Sequence, residues 1–190
     1  MSRSITTLCF LLMAAPAGGA AQVPVTVEKD LIFSRVEGAA VLADIAYPVD
    51  GDQLPVSLYV LGGRWRSCSR VNDAGLQVAE WAGRGFFAMT IDYRLVGASP
   101  APAPYQDVQT AIRWVHAHAE DYRIDEDRIY LIGNSSGGHL VAMVATLGEG
   151  PYERVGGWEN ARSDVRAVIS AAGPYAVSYT HLTLPTNREV

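Results

Sequence analysis

The stretch Ile129-Tyr130-Leu131-Ile132-Gly133-Asn134-Ser135-Ser136-Gly137-Gly138-His139-Leu140 leaves this chain few ways to fold. A short apolar run leads into Gly133, and an apolar helical pattern follows Gly137. Between them Ser135 has to turn the backbone sharply from strand to helix. Such a turn demands glycine two positions to either side, because a side chain there would collide with the neighbouring strand and helix. The serine at the apex projects its hydroxyl into the open, and the helix N-terminus behind it favours negative charge developing nearby. In this setting the Gly133, Ser135, Gly137 spacing predicts a nucleophile elbow, with Ser135 as candidate nucleophile and Gly133 and Gly137 as its glycines. Two blander readings compete. One is a turn that only lets a helix pack closely on a sheet. The other is a phosphate-binding turn, which would want GxGxxG or a closing Lys-Ser/Thr, and neither is present.

A strand–turn–helix of this kind needs a sheet around it, and the remaining chain supplies one. Val25 to Tyr47 reads as two strands with a turn at Glu37-Gly38, the second alternating through Val41, Ala43, Ile45 and Tyr47. Apolar strands are predicted over Val56–Leu61, Phe86–Ile91, Arg128–Ile132 and Val165–Ala171. Helices are predicted over Asn72–Gly83, Tyr105–Tyr122 and His139–Leu147. The second carries a clear stripe of Val108, Ala111, Ile112, Val115 and Ala119. Strands alternating with helices predict an α/β architecture: a mostly parallel sheet with helices on both faces, entered through N-terminal antiparallel strands. A length of 190 residues with 49% apolar content suits one domain with a substantial core. The net charge is −5, and the 15 basic residues show no stripe, so a nucleic-acid partner is not expected.

Both ends are expected to lie outside that domain. Residues 1–21 read as a signal peptide. Arg3 supplies the positive region, Ile5 to Ala15 the apolar one, and small residues allow cleavage after Ala20 or Ala21. This predicts export to the periplasm or beyond. The apolar stretch is short for a span, which needs about 20 residues, so stable membrane insertion is not expected. Cys9 would leave with the leader, and Cys68 would remain without an intramolecular disulfide partner. At the other end, residues 177–190 lack patterning. Val177 to Thr186 reads back through plausible codons as a transposase-end sequencing adapter. The domain is therefore expected over residues 22–176, with its C-terminal part missing and the natural protein running past Ala176.

At this point the chain resembles the α/β-hydrolase superfamily, most closely its hormone-sensitive-lipase-like and bacterial feruloyl-esterase-like carboxylesterases. The resemblance covers about Asp30 to Ala176 and rests on four blocks in order. They are Leu58-Tyr59-Val60-Leu61-Gly62-Gly63-Arg64-Trp65, Asp92-Tyr93-Arg94-Leu95, the Asp107–Trp114 helix, and Gly133–Leu140. It implies an α/β-hydrolase fold and an acyl-enzyme on Ser135. It also implies an oxyanion hole from the backbone N–H groups of Gly62, Gly63, Arg64 and Ser136. Leu61 stands where the family has histidine and Arg64 where it has a third glycine, so the aim of the N–H at position 64 is in question. No metal or cofactor is implied. The implied partner is a small-molecule ester, acylated carbohydrate included. A serine peptidase or amidase on the same fold, or a non-catalytic binding protein, are the alternatives.

The triad's acid and histidine follow the serine in this fold. After Ser135 only His139 and His181 remain, the first expected to be structural and the second belonging to the tail. Both triad partners are thus expected beyond Ala176, and the 190-residue chain alone is expected to be inactive. Other groups have plain readings. His116 and His118 are expected to be solvated. Asp92 and Arg94 are expected to hold a loop through a buried pair or backbone bonds. Asp125-Glu126-Asp127 is read as a solvated turn. Trp65 and Trp158 are read as core, rim or pocket lining.

Overall fold

A computed structural model describes residues 23–67, 69–71, 77–148 and 150–175. The expectations about residues 1–21, Cys68 and residues 177–190 lie outside the described residues, as does the first part of the Asn72–Gly83 helix.

Strands β1 (Val25–Val36) and β2 (Ala39–Pro48) form the expected antiparallel hairpin. Its two-residue turn puts Glu37 at φ 51° and Gly38 at φ 81°, the doubly positive turn whose twist matches paired strands. Then follow β3 (Leu54–Val60), helix α1 (Val78–Ala82), β4 (Phe87–Ile91), α2 (Ala103–Ala117), β5 (Ile124–Asn134), α3 (Ser136–Leu147) and β6 (Ala167–Ala171). The six strands lie in the order β1-β2-β4-β3-β5-β6. The pairs β4–β3, β3–β5 and β5–β6 are parallel, and β2–β4 is antiparallel. β3 and β4 are almost wholly buried, as their unbroken apolar runs require.

The connections fix where a ligand can sit. From β3 the chain steps one way, through α1 to β4. From β4 it steps back across β3, through α2 to β5, and on through α3 to β6. Right-handed crossovers place helices on opposite faces when the direction of travel reverses. Accordingly α1 packs on β1, β2 and β4, whereas α3 packs on β3, β5, β6 and α2. The reversal opens a crevice at the C-terminal ends of β3 and β5, the place where such sheets bind ligands. Pairing of Val60 with Gly133 sets the residues after β3 directly beside Ser135.

The apolar stripe of α2 is buried as expected, but so is its polar side: Asp107, Gln109, Thr110, Arg113 and His116. The segment between α3 and β6 lies across that side, and α2 side chains satisfy its carbonyls. Gln109 donates to Gly148 O (3.0 Å), and Thr110 Oγ1 and Arg113 Nη2 both donate to Val155 O (2.8 Å). Trp158 Nε1 anchors the same segment to Phe33 O (3.0 Å). This overturns the solvated reading of two histidines. His116 bridges Glu126 Oε2 (2.8 Å) and Asp164 O (2.9 Å). His118 stacks on Trp114 at 4.2 Å and meets Trp158 edge-on at 4.6 Å. The charge run belongs to β5 rather than to a solvated turn, with Asp125 paired to Arg128 (2.5 Å) and Glu126 to His116.

Asp92 and Arg94 do hold loops by ion pairs, each with a distant partner. Arg94 meets Asp107 at 2.9 Å, with the Asp107 side chain fully buried. Arg70 lies among Asp30, Asp44 and Asp92, so one buried guanidinium ties the loop after β3 to β1, β2 and the end of β4. Asp107→Asn leaves a nearly buried arginine with only the exposed Glu37 carboxylate, 3.6 Å away, as counter-charge. It is expected to lower stability by about 3–5 kcal/mol, read as a fall in denaturant midpoint at unchanged slope.

Among the described residues no helix is long and apolar enough to cross a membrane, and no cluster of three or more His, Cys, Asp or Glu side chains forms a metal centre.

Candidate active site

Ser135 makes the whole turn between β5 and α3 in one residue, at φ 54° and ψ −121°. L-residues enter such conformations only at a cost of about 1–3 kcal/mol and stay where the surroundings over-determine them. The surroundings here are explicit. The Ser135 N–H donates to Ala171 O at the end of β6 (2.8 Å), and its carbonyl accepts from the His139 N–H (3.0 Å). A Cβ on Gly133 would lie 2.5 Å from the Gly137 carbonyl carbon, and one on Gly137 would lie 2.5 Å from Leu61 O. Both glycines are therefore required by backbone packed against backbone. The Ser135 side chain is partly exposed, and among the described residues nothing hydrogen-bonds its hydroxyl.

The turn after β3 closes against this elbow. A Cβ on Gly62 would stand 3.2 Å from the Ser135 Cβ, so the two segments touch at that point. Gly63, Arg64 and Trp65 follow with φ of 131°, 54° and 59°. The N–H groups of Arg66 and Ser67 donate to Gly63 O (3.0 and 3.1 Å), which locks the turn. Among the described residues the N–H groups of Gly63 and Arg64 donate to no backbone carbonyl. Ser136 is the first residue of α3, where an N–H has no partner within the helix. Arg64 takes the positive φ that a glycine would take, so its side chain does not block that backbone conformation. Leu61, in place of a histidine, is buried, and its carbonyl is used as described next.

The clasp that joins the two segments is not legible from local pattern. The buried Tyr93 hydroxyl donates to Leu61 O (3.2 Å) and lies 3.4 Å from Ser136 Oγ. It bridges the turn after β3 and the first residue of α3. The Asp92-Tyr93-Arg94 block is visible in the sequence, but partners 32 and 43 residues away are not.

His139 is not placed to serve Ser135. It is buried, its Nδ1 faces Pro174 O (2.7 Å), and its Nε2 faces the Tyr105 hydroxyl (3.1 Å). Pro174 O can only accept, so Nδ1–H donates to it. In a neutral ring Nε2 is then the acceptor for the Tyr105 hydroxyl, which burial keeps protonated by pushing its pKa up to about 12. Burial also lowers the His139 pKa below its ordinary 6.5, opposed by the Pro174 bond. The unfolded chain binds this proton more readily than the folded one, so folding stability rises with pH across the interval between the two values. Stability should be full above about pH 6.5 and fall as pH drops toward the depressed folded value. Thermal midpoints at pH 5 and 7 should differ by less in His139→Gln than in the unaltered protein.

Trp65 packs edge-on against His139 at 5.4 Å, and its buried indole Nε1 has no acceptor among the described residues. Trp158 sits far along the chain in the segment over α2, more than a third exposed.

Comparison with known proteins agrees with this fold. The BD-FAE family model matches residues 43–187. Esterase LipC of Mycobacterium tuberculosis is 31% identical over 121 residues, which is 64% of this chain and 30% of LipC. The butyrate-bound Est2 esterase of Thermogutta terrifontis superposes with a TM-score of 0.63 at 27% identity, covering 77% of this chain and 52% of that one. A truncated carbohydrate esterase from gut microbiota gives 0.66 at 26% identity, covering 83% and 60%. The chain thus spans about a third or less of the length of the curated esterase and roughly half of the solved ones. The sheet, its helices and these neighbours are those of the α/β-hydrolase fold expected from the sequence. With three quarters of its length matched by one family model, the chain belongs to the BD-FAE family.

Proposed function

We propose that this chain carries the nucleophile and oxyanion hole of a serine carboxylesterase acting on small acyl or acetyl esters. The observation that supports it most is the strained, partly exposed Ser135 held against Gly62 at the crevice between β3 and β5. In this reading Ser135 Oγ attacks the ester carbonyl carbon while a base takes its proton. The developing oxyanion is met by N–H groups of the Gly62-Gly63-Arg64 turn and of Ser136. The alcohol leaves with a proton, and water then releases the acid from the acyl-enzyme. His139 has both ring nitrogens engaged, so the base and its orienting acid come from outside the described residues.

Acylated carbohydrates are the favoured substrates in this proposal, supported by the likeness to a gut carbohydrate esterase. Export fits that role and rests on the leader-like residues 1–21. The full-length protein, read from its genomic locus, should hydrolyse p-nitrophenyl acetate and release acetate from acetylated xylan, while leaving acyl p-nitroanilides intact. Cleavage of the anilides but not the esters would overturn the reading in favour of an amidase. The secreted product should begin at Ala21 or Gln22 by N-terminal sequencing.

A further inference from the structure

We infer that the turn after β3 forms a subsite for a carboxylate, and that the preferred esters carry one close to the scissile bond. The inference rests on the esterase reading above and specifies its substrate class. Arg64 and Arg66 flank Trp65, both are exposed, and among the described residues neither guanidinium is in an ion pair. A cavity of about 390 Å³ opens there, lined by Arg64, Trp65, Arg66 and Ser67. Trp65, itself buried, closes the floor of this cavity between the two arginines. Each guanidinium carries the planar fork of donors that matches a carboxylate.

Position and charge agree with this. Gly62 touches Ser135, and Arg64 lies two residue steps, at most about 7 Å of backbone, beyond Gly62. Glycine would make the positive-φ turn at position 64 without strain, so an arginine there is present for its side chain rather than for the turn. The whole chain is acidic, at −5. The carboxylates of Asp30, Asp44 and Asp92, which close round the same loop, are spent on Arg70. The paired cations beside the crevice therefore run against the net charge and concentrate an anion where it is needed.

Two matched pairs of esters test this on the full-length protein. p-Nitrophenyl hemiglutarate against p-nitrophenyl valerate puts the charge on the acyl side. 3-Acetoxybenzoate against 3-acetoxybenzamide puts it on the alcohol side. In at least one pair the anionic member should show a kcat/KM about tenfold higher at low ionic strength. That ratio should fall steeply toward 1 M salt, where the Debye length is about 3 Å. It should also collapse in the Arg64→Gln/Arg66→Gln double variant, whatever happens to the neutral rate. Turnover of all four esters with no anionic preference in either pair would overturn the subsite while leaving the esterase standing. A preference insensitive to both salt and the double variant would overturn it equally. Failure to turn over any of the four, in a folded protein, would overturn the esterase reading and the subsite with it.

Discussion

Ser135→Ala should abolish labelling by a fluorophosphonate probe and lower ester turnover of the full-length protein by about 10⁶-fold. The size follows from what the hydroxyl does. Without it no acyl-enzyme forms, and only binding and the oxyanion donors remain, worth about 10³–10⁴ over water in comparable systems. A companion variant separates chemistry from strain. Ser135→Gly removes the same hydroxyl but also relieves a conformation at φ 54° and ψ −121° that L-residues avoid. Part of that relief is offset by the greater freedom of glycine in the unfolded chain. The glycine variant should therefore be equally inactive yet more stable than the alanine variant by about 1 kcal/mol, measured by denaturant unfolding. A glycine variant less stable than the alanine variant would mean that the turn stores no strain. Retained labelling in either variant would move the nucleophile elsewhere.

Gly137→Ala should be the most damaging single methyl group in the molecule. Its Cβ would press on the Val60 carbonyl oxygen and stand 2.5 Å from that of Leu61, both backbone atoms of the central strand and its exit. No side-chain rotation relieves this, so α3 must retreat from β3 or the elbow must open. A loss of about 3 kcal/mol or more is expected, together with loss of probe labelling. Gly83→Ala is the contrasting control. Gly83 follows α1 at φ −62°, and the nearest atom to an added Cβ is Ala79 O at 3.4 Å. That change should be neutral or should stabilise by about 0.4–1 kcal/mol. The two substitutions are chemically identical, and only what faces the new methyl differs.

The parts legible in the sequence are those written in local pattern. Ile129–Ile132 and the glycines around Ser135 specify a strand, a turn and a helix from within a dozen residues. The Val108, Ala111, Ile112, Val115 and Ala119 stripe specifies which side of α2 meets the sheet. What periodicity cannot say is what covers the other side. Asp107, Gln109, Thr110, Arg113 and His116 look like a solvated face, yet they are buried because an aperiodic segment some 40 residues later lays its carbonyls over them. Arg70 and the Tyr93 hydroxyl escape notice for the same reason. Each is an unremarkable polar group until the sheet order brings residues from distant strands to it. Loop-borne partners of this kind carry no period, and their meaning depends on the assembled crevice.

Ser135 owes its posture to β6, because the Ala171 carbonyl accepts its N–H and Ser170 Oγ donates to Gly138 O at 2.7 Å. β6 is also the outermost strand of the described sheet, with Ile169 58% exposed. Among the described residues β6 pairs with β5 alone, so the reactive residue is tethered to a strand with one open edge. Outer strands fray first, and in amide exchange the Ser135 N–H should report their opening rather than that of the β3 interior. Whatever chain or molecule docks along that outer strand will lengthen the lifetime of the reactive geometry without touching the substrate.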